Sequence, residues 1–480
     1  MLKGEFDQSL FDPYTFNKMI YDEGFHTIFV NYNPNPPFTA IFFVPLALLP
    51  LGVSKFLFNL LTCILFLISV FRLCRHTQVE TYRIFLLMPI LLFVPIRNQI
   101  LFGQTYFLIF FLIAEGYLAC QSQKRILSAA LWSLAIMIKV FPAILLLFLI
   151  VKKDWKQTAY VLLGCLSLLI ISAGIQGVDI WKEYLLVILP RNNDGEVIAA
   201  YNTYSQSAIA LANYLFIREE TLNPEPLLNS NLVYFITLLL FKTLLLTWCA
   251  MVAASRKDLL AFGLIVLSGI LISSYGSTYS NILLLIALIA IRNEKSPAYF
   301  WIVAGLIFVI SNLPIRLFEE LPVILRYPRL FLLLGLFGVI VYASNQHRID
   351  LRWALVFGVL LSVPVIFQTK TLPEHSKLLL SENEHSLIFD FGVANDTLFY
   401  RYWSDAGPQV YHTDVPVQHL RSDNVQIVNN QIVYKGNPIT NSPDNKIRAG
   451  IVNDEYILYL SDQNKGIGFY SLRMIPLHSL

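Results

Sequence analysis

The feature that most constrains this chain is a series of apolar runs, each close to 20 residues long. That length crosses a hydrocarbon core of ~30 Å as an α-helix. Candidate runs lie at 54–75, 81–98, 104–120, 157–175, 231–254, 258–275, 297–314, 329–346 and 350–368, and a shorter run lies at 279–292. Only 14% of the 480 residues are charged, against about a quarter in a soluble globular protein. The sequence therefore predicts an all-α polytopic membrane protein of about 10 to 13 transmembrane helices.

One further run, 125–151, is too long for a simple helix and contains the sequence KVFP at 139–142. Proline lacks the backbone N–H and clashes with the preceding turn. We therefore expect two shorter helices that meet at this break.

The orientation of the helices follows from the Lys and Arg residues of the short loops, which accumulate on the cytoplasmic side. The basic loops alternate along the chain and contain Arg72, Arg75, Lys124, Arg125, Lys152, Lys153, Lys156, Arg256, Lys257, Arg292, Lys295 and Arg348. The segments 97–104, 176–230, 273–280 and 315–328 are then outside. Residues 1–53, an acidic loop and a proline-rich membrane-entry segment, must also be outside. Since no apolar signal precedes them, either they cross unaided or a further helix precedes Met1, and the second is favoured.

The composition changes after residue 368. Short alternating runs such as SLIFDFGV, DTLFYRYW and QIVNNQIV are separated by Asn, Asp, Gly and Pro, which is typical of strands and turns. We expect a 54–368 transmembrane domain followed by a small β-rich extracytoplasmic domain at 369–480. We recognise no group of catalytic residues in this tail and interpret it as an accessory or docking domain.

Polar side chains collect on the predicted outer side, and polar groups at membrane depth tend to mark function. The group contains Asp7, Asp12, Asp22, Glu23, residues 32–37, Arg97, Gly103, Gln104, Lys139, residues 205–207, residues 275–280, Arg326 and Arg329. Carboxylates, cations and hydroxyl or amide donors on one side suit a site that holds a lipid phosphate and activates a hydroxyl. The five cysteines and eight histidines are scattered, so no protein-bound metal is predicted.

Four motifs in series resemble glycosyltransferase family 87. They are NYNPNPPF (31–38), FGQT (102–105), IKVFPAILLLFLIVKKDW (138–155) and YSQSAIALANYLF (204–216). The resemblance covers roughly residues 5–300 and leaves the C-terminal tail outside. It implies the GT-C membrane architecture and a mannosyltransferase-like enzyme that uses a polyprenyl-phosphate sugar as donor and a lipid or glycan as acceptor.

The resemblance also implies roles for single residues. Asp12 in FDPYTF stands where the family has its catalytic aspartate, with Asp7 as the second choice. The prolines of NYNPNPPF then form a rigid, non-helical segment at the membrane surface that holds the acidic loop over the lipid-linked donor. The residues expected to bind substrate are Tyr32, Pro36, Pro37, Arg97, Gly103, Gln104, Lys139, Gln206, Ser207, Tyr275 and Arg329.

The chemistry expected of such a site is an inverting transfer. A carboxylate takes the proton of the acceptor hydroxyl as it attacks, and Lys139, Arg97 and Arg329 are available to the leaving phosphate. No Asp-x-Asp metal motif is present, so no cofactor is expected.

Several alternatives stay open from the sequence. Each candidate residue is also consistent with a purely structural role. Asp12 is then an ordinary loop carboxylate, and Lys139 a cation that extends to the membrane interface. Gln104 then packs at a helix start, Ser207 is a helix N-cap, and Arg329 is an interfacial anchor. The chain also departs from the family at SSYGSTYS (273–280), which lacks the usual acid and histidine, and at Asn213, where an arginine is common.

A lipid or polysaccharide transporter is the competing function, although no internal repeat supports it. A further alternative is another GT-C enzyme, such as a ligase of lipid-linked glycans.

Overall fold

The computed structural model describes residues 11–26, 35–196, 201, 203–219, 222–256, 258–292, 296–344, 350–367, 377–380, 387–404, 407–442, 444–463 and 465–479. Apolar helices occupy the chain up to residue 367, and strands follow. In chain order the helices are α1 (Pro13–Asp22), α2 (Phe38–Ala47), α3 (Leu51–His76), α4 (Thr81–Leu91), α5 (Phe93–Phe102), α6 (Tyr106–Gln121), α7 (Arg125–Ile138), α8 (Leu145–Val151), α9 (Trp155–Gln176), α10 (Val178–Glu183), α11 (Leu189–Asn193), α12 (Ala208–Phe216), α13 (Asn231–Ser255), α14 (Leu259–Ile272), α15 (Leu284–Ile291), α16 (Pro297–Asn312), α17 (Pro328–Ala343) and α18 (Leu351–Phe367).

Three helices in the described part of the chain, α3, α9 and α13, are long and apolar enough to cross a membrane. The bent pair α4 and α5 would make a fourth span, and the remaining apolar helices are 10–17 residues long. The helical membrane class predicted from the sequence is confirmed. By length and composition the described residues provide three to four spans, so the higher count stays a prediction.

The bend between α4 and α5 is 72° and has an identifiable cause. Pro95 cannot donate to the carbonyl of Leu91, four residues earlier, so the helical ladder is interrupted there. Asn312, at the end of α16, replaces the missing bonds. Its Nδ2 donates to the Leu91 carbonyl at 2.9 Å, and its Oδ1 accepts from the backbone N–H of Val94 at 3.1 Å.

The break predicted at KVFP is confirmed. Helix α7 ends at Ile138, a 3-10 turn covers Phe141–Ile144, and α8 starts at Leu145. Lys139 lies between them with extended backbone angles, φ −144° and ψ 132°. The break therefore places Lys139 in an extended segment between two helical segments.

The C-terminal region is β-rich, as predicted. Its strands are β1 (Lys377–Leu380), β2 (Leu387–Ala394), β3 (Thr397–Ser404), β4 (Gly407–Pro416), β5 (Leu420–Arg421), β6 (Val425–Val428), β7 (Gln431–Tyr434), β8 (Asn437–Pro438), β9 (Lys446–Val452), β10 (Tyr456–Ser461) and β11 (Ser471–Pro476). Within the described residues they form antiparallel sheets of order β1-β11-β10-β9-β5, β2-β3-β4 and β6-β7-β8.

The sequence QIVNNQIV forms the expected tight hairpin. Val428 pairs with Gln431, and the two intervening residues, Asn429 and Asn430, have φ values of 50° and 60°. A two-residue loop with both central φ angles positive is the type I′ geometry that asparagine tolerates and that matches strand twist.

Candidate active site

A cavity of about 300 Å³ lies where α7, α11, α14 and the loop before α2 meet. Three of the residues expected to bind substrate line it together: Pro36, Lys139 and Tyr275. Asn192 and Asn193 of α11 also line it. A mixed lining of apolar, aromatic and a few polar groups is typical of a small-molecule site.

Lys139 is the cation of this cavity. Its Nζ lies 4.3 Å from the centroid of the Tyr106 ring, a cation–π arrangement that holds the ammonium group in place. Within the described ranges, no carboxylate forms a salt bridge with Lys139. An ammonium group that is partly buried and lacks a protein counter-ion is suited to an anionic ligand.

Asp12 is the N-cap of α1. Its Oδ2 accepts hydrogen bonds from the backbone N–H and from the hydroxyl of Thr15, both at 2.9 Å. Its Oδ1 is buried and has no hydrogen-bond donor in the described part of the chain. Burial raises the pKa of Asp12 above the ordinary aspartate value, against the two Thr15 hydrogen bonds, which lower it. A buried carboxylate of raised pKa with an unused oxygen is suited to accept a proton.

Asp12 is beside the cavity rather than in its lining. The neighbouring Phe11 ring lies 5.8 Å from the ring of Tyr184, which lines the cavity. On its other side α1 contacts the C-terminal region, where the Tyr14 ring stacks on Phe389 at 4.0 Å. Helix α1 therefore joins the cavity to the β-rich region.

The FGQT motif builds a turn that positions Tyr106. Gly103 ends α5 in the left-handed conformation, φ 61°, which favours glycine. The buried Gln99 side chain donates to the Gln104 carbonyl and accepts from the Tyr106 N–H at 3.2 Å. Gly103 and Gln104 lie outside the cavity lining, so their observed contribution is to the position of the ring beneath Lys139.

The YSQS motif holds the loop that carries Tyr275. Ser207 caps α12 by accepting from the Ala210 N–H at 3.1 Å, and its hydroxyl donates to the Ser274 carbonyl at 2.8 Å. The buried Gln206 amide donates at 2.8 Å to the carbonyls of Thr203 and Arg326.

Gln206 also constrains the adjoining loop at Gly276. A Cβ on Gly276 would lie 2.6 Å from the Gln206 carbonyl oxygen, so only glycine allows this close packing. Gln206 and Ser207 thus lie next to the site without lining it.

The predicted arginines lie away from the cavity. Arg329 is buried, and its Nε and Nη2 donate to the carbonyls of Ile310 and Leu313 at 2.9 and 3.3 Å, where α16 ends. Arg97 lies exposed on α5. Pro37 begins α2, and its carbonyl accepts from Gln176 at 2.8 Å. Asp7 and Tyr32 lie outside the described residues.

Sequence reasoning missed Tyr106, Tyr184, Asn192 and Asn193 as cavity residues. Tyr106 directly follows FGQT and could have been included with that motif. The two asparagines carry no signal at the level of sequence, because a polar pair in a long loop is ordinary there.

Comparison with known proteins identifies one family. Residues 33–274 match Glycosyltransferase family 87, which confirms the resemblance of the four motifs. No curated protein and no solved structure gives a significant match. The match includes Tyr106 and Lys139, begins after Asp12, and ends at residue 274, one residue before Tyr275 and well before the C-terminal strands.

Proposed function

The chain belongs to glycosyltransferase family 87, and from this premise we propose that it transfers a hexose from a polyprenyl phosphate to a hydroxyl group of a lipid or glycan acceptor. We propose mannose as the sugar. The observation that carries this proposal is Lys139, a cation without a carboxylate partner among the described residues, in a cavity of about 300 Å³ lined by tyrosines and asparagines.

In the proposed reaction the acceptor oxygen attacks the anomeric carbon on the side opposite the phosphate. The new carbon–oxygen bond forms while the bond from the anomeric carbon to the phosphate oxygen breaks. The phosphate leaves with the electron pair, and the acceptor proton passes to Asp12. This single displacement inverts the anomeric centre.

Lys139 supports this step because negative charge develops on the leaving phosphate. An ammonium group that is held in place inside a protein cavity stabilises that charge more strongly than it would in bulk water. In this scheme the transfer requires no resident metal.

Asp12 supports the step through its environment. Its pKa is raised by burial, so its carboxylate is a stronger base than that of an exposed aspartate. The family match begins after Asp12, so its role rests on its place beside the cavity and on the family pattern in the first outer loop.

The Asp12→Asn substitution tests this proposal. Asparagine caps a helix as well as aspartate does, so α1 should persist while the base is lost. With purified protein, radiolabelled polyprenyl-phosphate mannose and a native membrane lipid extract, transfer should fall by about 10²- to 10⁴-fold.

Asp22→Asn is the matched control, since Asp22 is an exposed carboxylate at the end of the same helix. Its transfer rate should equal that of the unsubstituted protein. Near-normal transfer in Asp12→Asn together with loss in Asp7→Asn would move the base to Asp7. Near-normal transfer in both Asp12→Asn and Asp7→Asn would overturn the proposed chemistry.

A further inference from the structure

We propose that residues 465–470 of the C-terminal region cover Asp12, fix its position and keep water away from it. This inference rests on the proposed function, in which Asp12 is the base. It assigns the β-rich region a positioning role in the reaction, although this region lies beyond the part of the chain that matches the family.

The cover touches the carboxylate through a glycine. A Cβ on Gly468 would lie 3.1 Å from Asp12 Oδ1 and would overlap the Pro13 ring. Gly468 also has φ +78°, a conformation that other residues rarely adopt. The absence of a side chain therefore lets the backbone lie directly against the base.

The cover is anchored by a buried ion pair. Asp462 Oδ2 accepts from Arg191 Nη1 at 2.9 Å and from the Gly468 N–H at 3.0 Å. Arg191 also pairs with Glu196 at 2.7 Å, and the Glu196 carbonyl accepts from the Ile467 N–H at 3.2 Å. Arg191 and Asp462 keep only 10% and 0% of their side-chain surface exposed. Removing one member of such a pair would leave a buried charge uncompensated, which is strongly destabilising.

The same network supports the cavity wall. Arg191 belongs to α11, and the next two residues, Asn192 and Asn193, line the cavity. Phe469, which follows the glycine, packs in a cluster with Trp403, Tyr14 and the cavity residue Tyr275. The cover, the base and the cavity wall therefore form one packed unit.

The chemical reason for a cover is the reactivity of the donor. If water took the place of the acceptor, its oxygen would attack the anomeric carbon, Asp12 would take its proton, and the sugar would leave the phosphate as free mannose. Excluding water from the base prevents this side reaction. The Asp12 residue as a whole is partly exposed, whereas its Oδ1, which lies against Gly468, is buried.

Gly468→Ala tests the cover, and Gly436→Ala is its matched control. Gly436 has a similar φ of +84° in the same region, but a Cβ there would meet no atom within 4 Å. A first measurement requires no catalysis: Asp12→Cys is combined with each alanine, and its rate of reaction with a water-soluble maleimide is followed. Gly468→Ala should react about tenfold faster than Gly436→Ala, because the cover opens.

A second measurement uses Asp12 intact and polyprenyl-phosphate mannose without acceptor. Release of free mannose should rise about tenfold in Gly468→Ala and remain at the basal level in Gly436→Ala. The acid limb of the pH–rate profile should move to lower pH in Gly468→Ala, because relief of burial lowers the pKa of Asp12.

Equal maleimide rates in the two alanine variants would overturn the cover. Faster labelling without more hydrolysis would overturn its role in excluding water. A rise in transfer to the lipid extract, in place of hydrolysis, would make the loop an obstruction and also contradict the proposal. Labelling as expected in a protein that acts on no polyprenyl-phosphate sugar would instead overturn the proposed function.

Discussion

At the scale of single residues, Lys139 and Arg329 are cations with different surroundings: Lys139 lines the cavity, whereas Arg329 is buried at the start of α17. Lys139 could be singled out because a lysine beside a proline break in an apolar run has few structural uses. Arg329 gave a similar signal, yet its donors are taken up by carbonyls at the end of α16. Those carbonyls belong to Ile310 and Leu313, and no local pattern predicts that an arginine from the next helix will reach them.

Lys139→Met should weaken donor binding. Loss of a charge-assisted contact to phosphate should raise KM for polyprenyl-phosphate mannose about 10- to 100-fold, with a smaller change in kcat. Lys139→Arg keeps the positive charge, so its KM should lie between the KM of Lys139→Met and that of the unsubstituted protein. Lys182→Met, which removes an exposed lysine paired with Asp179, is the control and should leave KM unchanged. An unchanged KM in Lys139→Met would remove this lysine from the donor site.

At the scale of elements, helix bounds followed the apolar runs and the breaks followed proline. The run 231–254 became α13, and KVFP separated α7 from α8. The 72° bend after α4 was not predicted, although Pro95 was visible, because the side chain that stabilises it is Asn312 on a distant helix. A proline indicates that the helical hydrogen-bond ladder is interrupted. The side chain that fixes the bend angle comes from a tertiary contact, which the local sequence does not show.

Arg329→Leu should destabilise the helical region and leave KM for the donor unchanged. The substitution leaves two carbonyls near the end of α16 without donors in a buried place, which costs about 1 to 3 kcal/mol. Thermal unfolding in detergent measures the loss, and Arg316→Leu, at an exposed arginine in the following loop, is the control. A raised KM with unchanged thermal stability would instead restore Arg329 as a ligand.

At the scale of the whole molecule, the sequence predicted a β-rich tail but not its attachment. Strand alternation and Asn-rich turns are local signals. The attachment depends on Arg191 with Asp462, on Asp12 with Gly468, and on an aromatic cluster, and each of these joins residues far apart in the chain. Such contacts leave no periodic signal in a single sequence.

The side of the membrane on which the tail lies follows from the distribution of Lys and Arg among the loops, and we expect it to be extracytoplasmic. Ser422→Cys places a thiol at an exposed position of the tail. In intact cells this thiol should react with a membrane-impermeant maleimide, while the unsubstituted chain, whose cysteines lie in or beside apolar helices, gives the background. Reaction only after lysis would reverse the topology and move the cavity to the cytoplasmic side.

The contact between Gly468 and Asp12 also has a consequence for biosynthesis. The ribosome adds the cover roughly 450 residues after the aspartate, an interval of about 20 to 90 s at ordinary rates of synthesis. During that interval the Lys139 helices can already be inserted while the aspartate is still open to water. The maleimide test on Asp12→Cys, applied to nascent chains, would register this interval as a period of fast labelling. Under the proposed role of the cover, Asp12 would be shielded from water only after residues 465–470 have been synthesised and have folded against it.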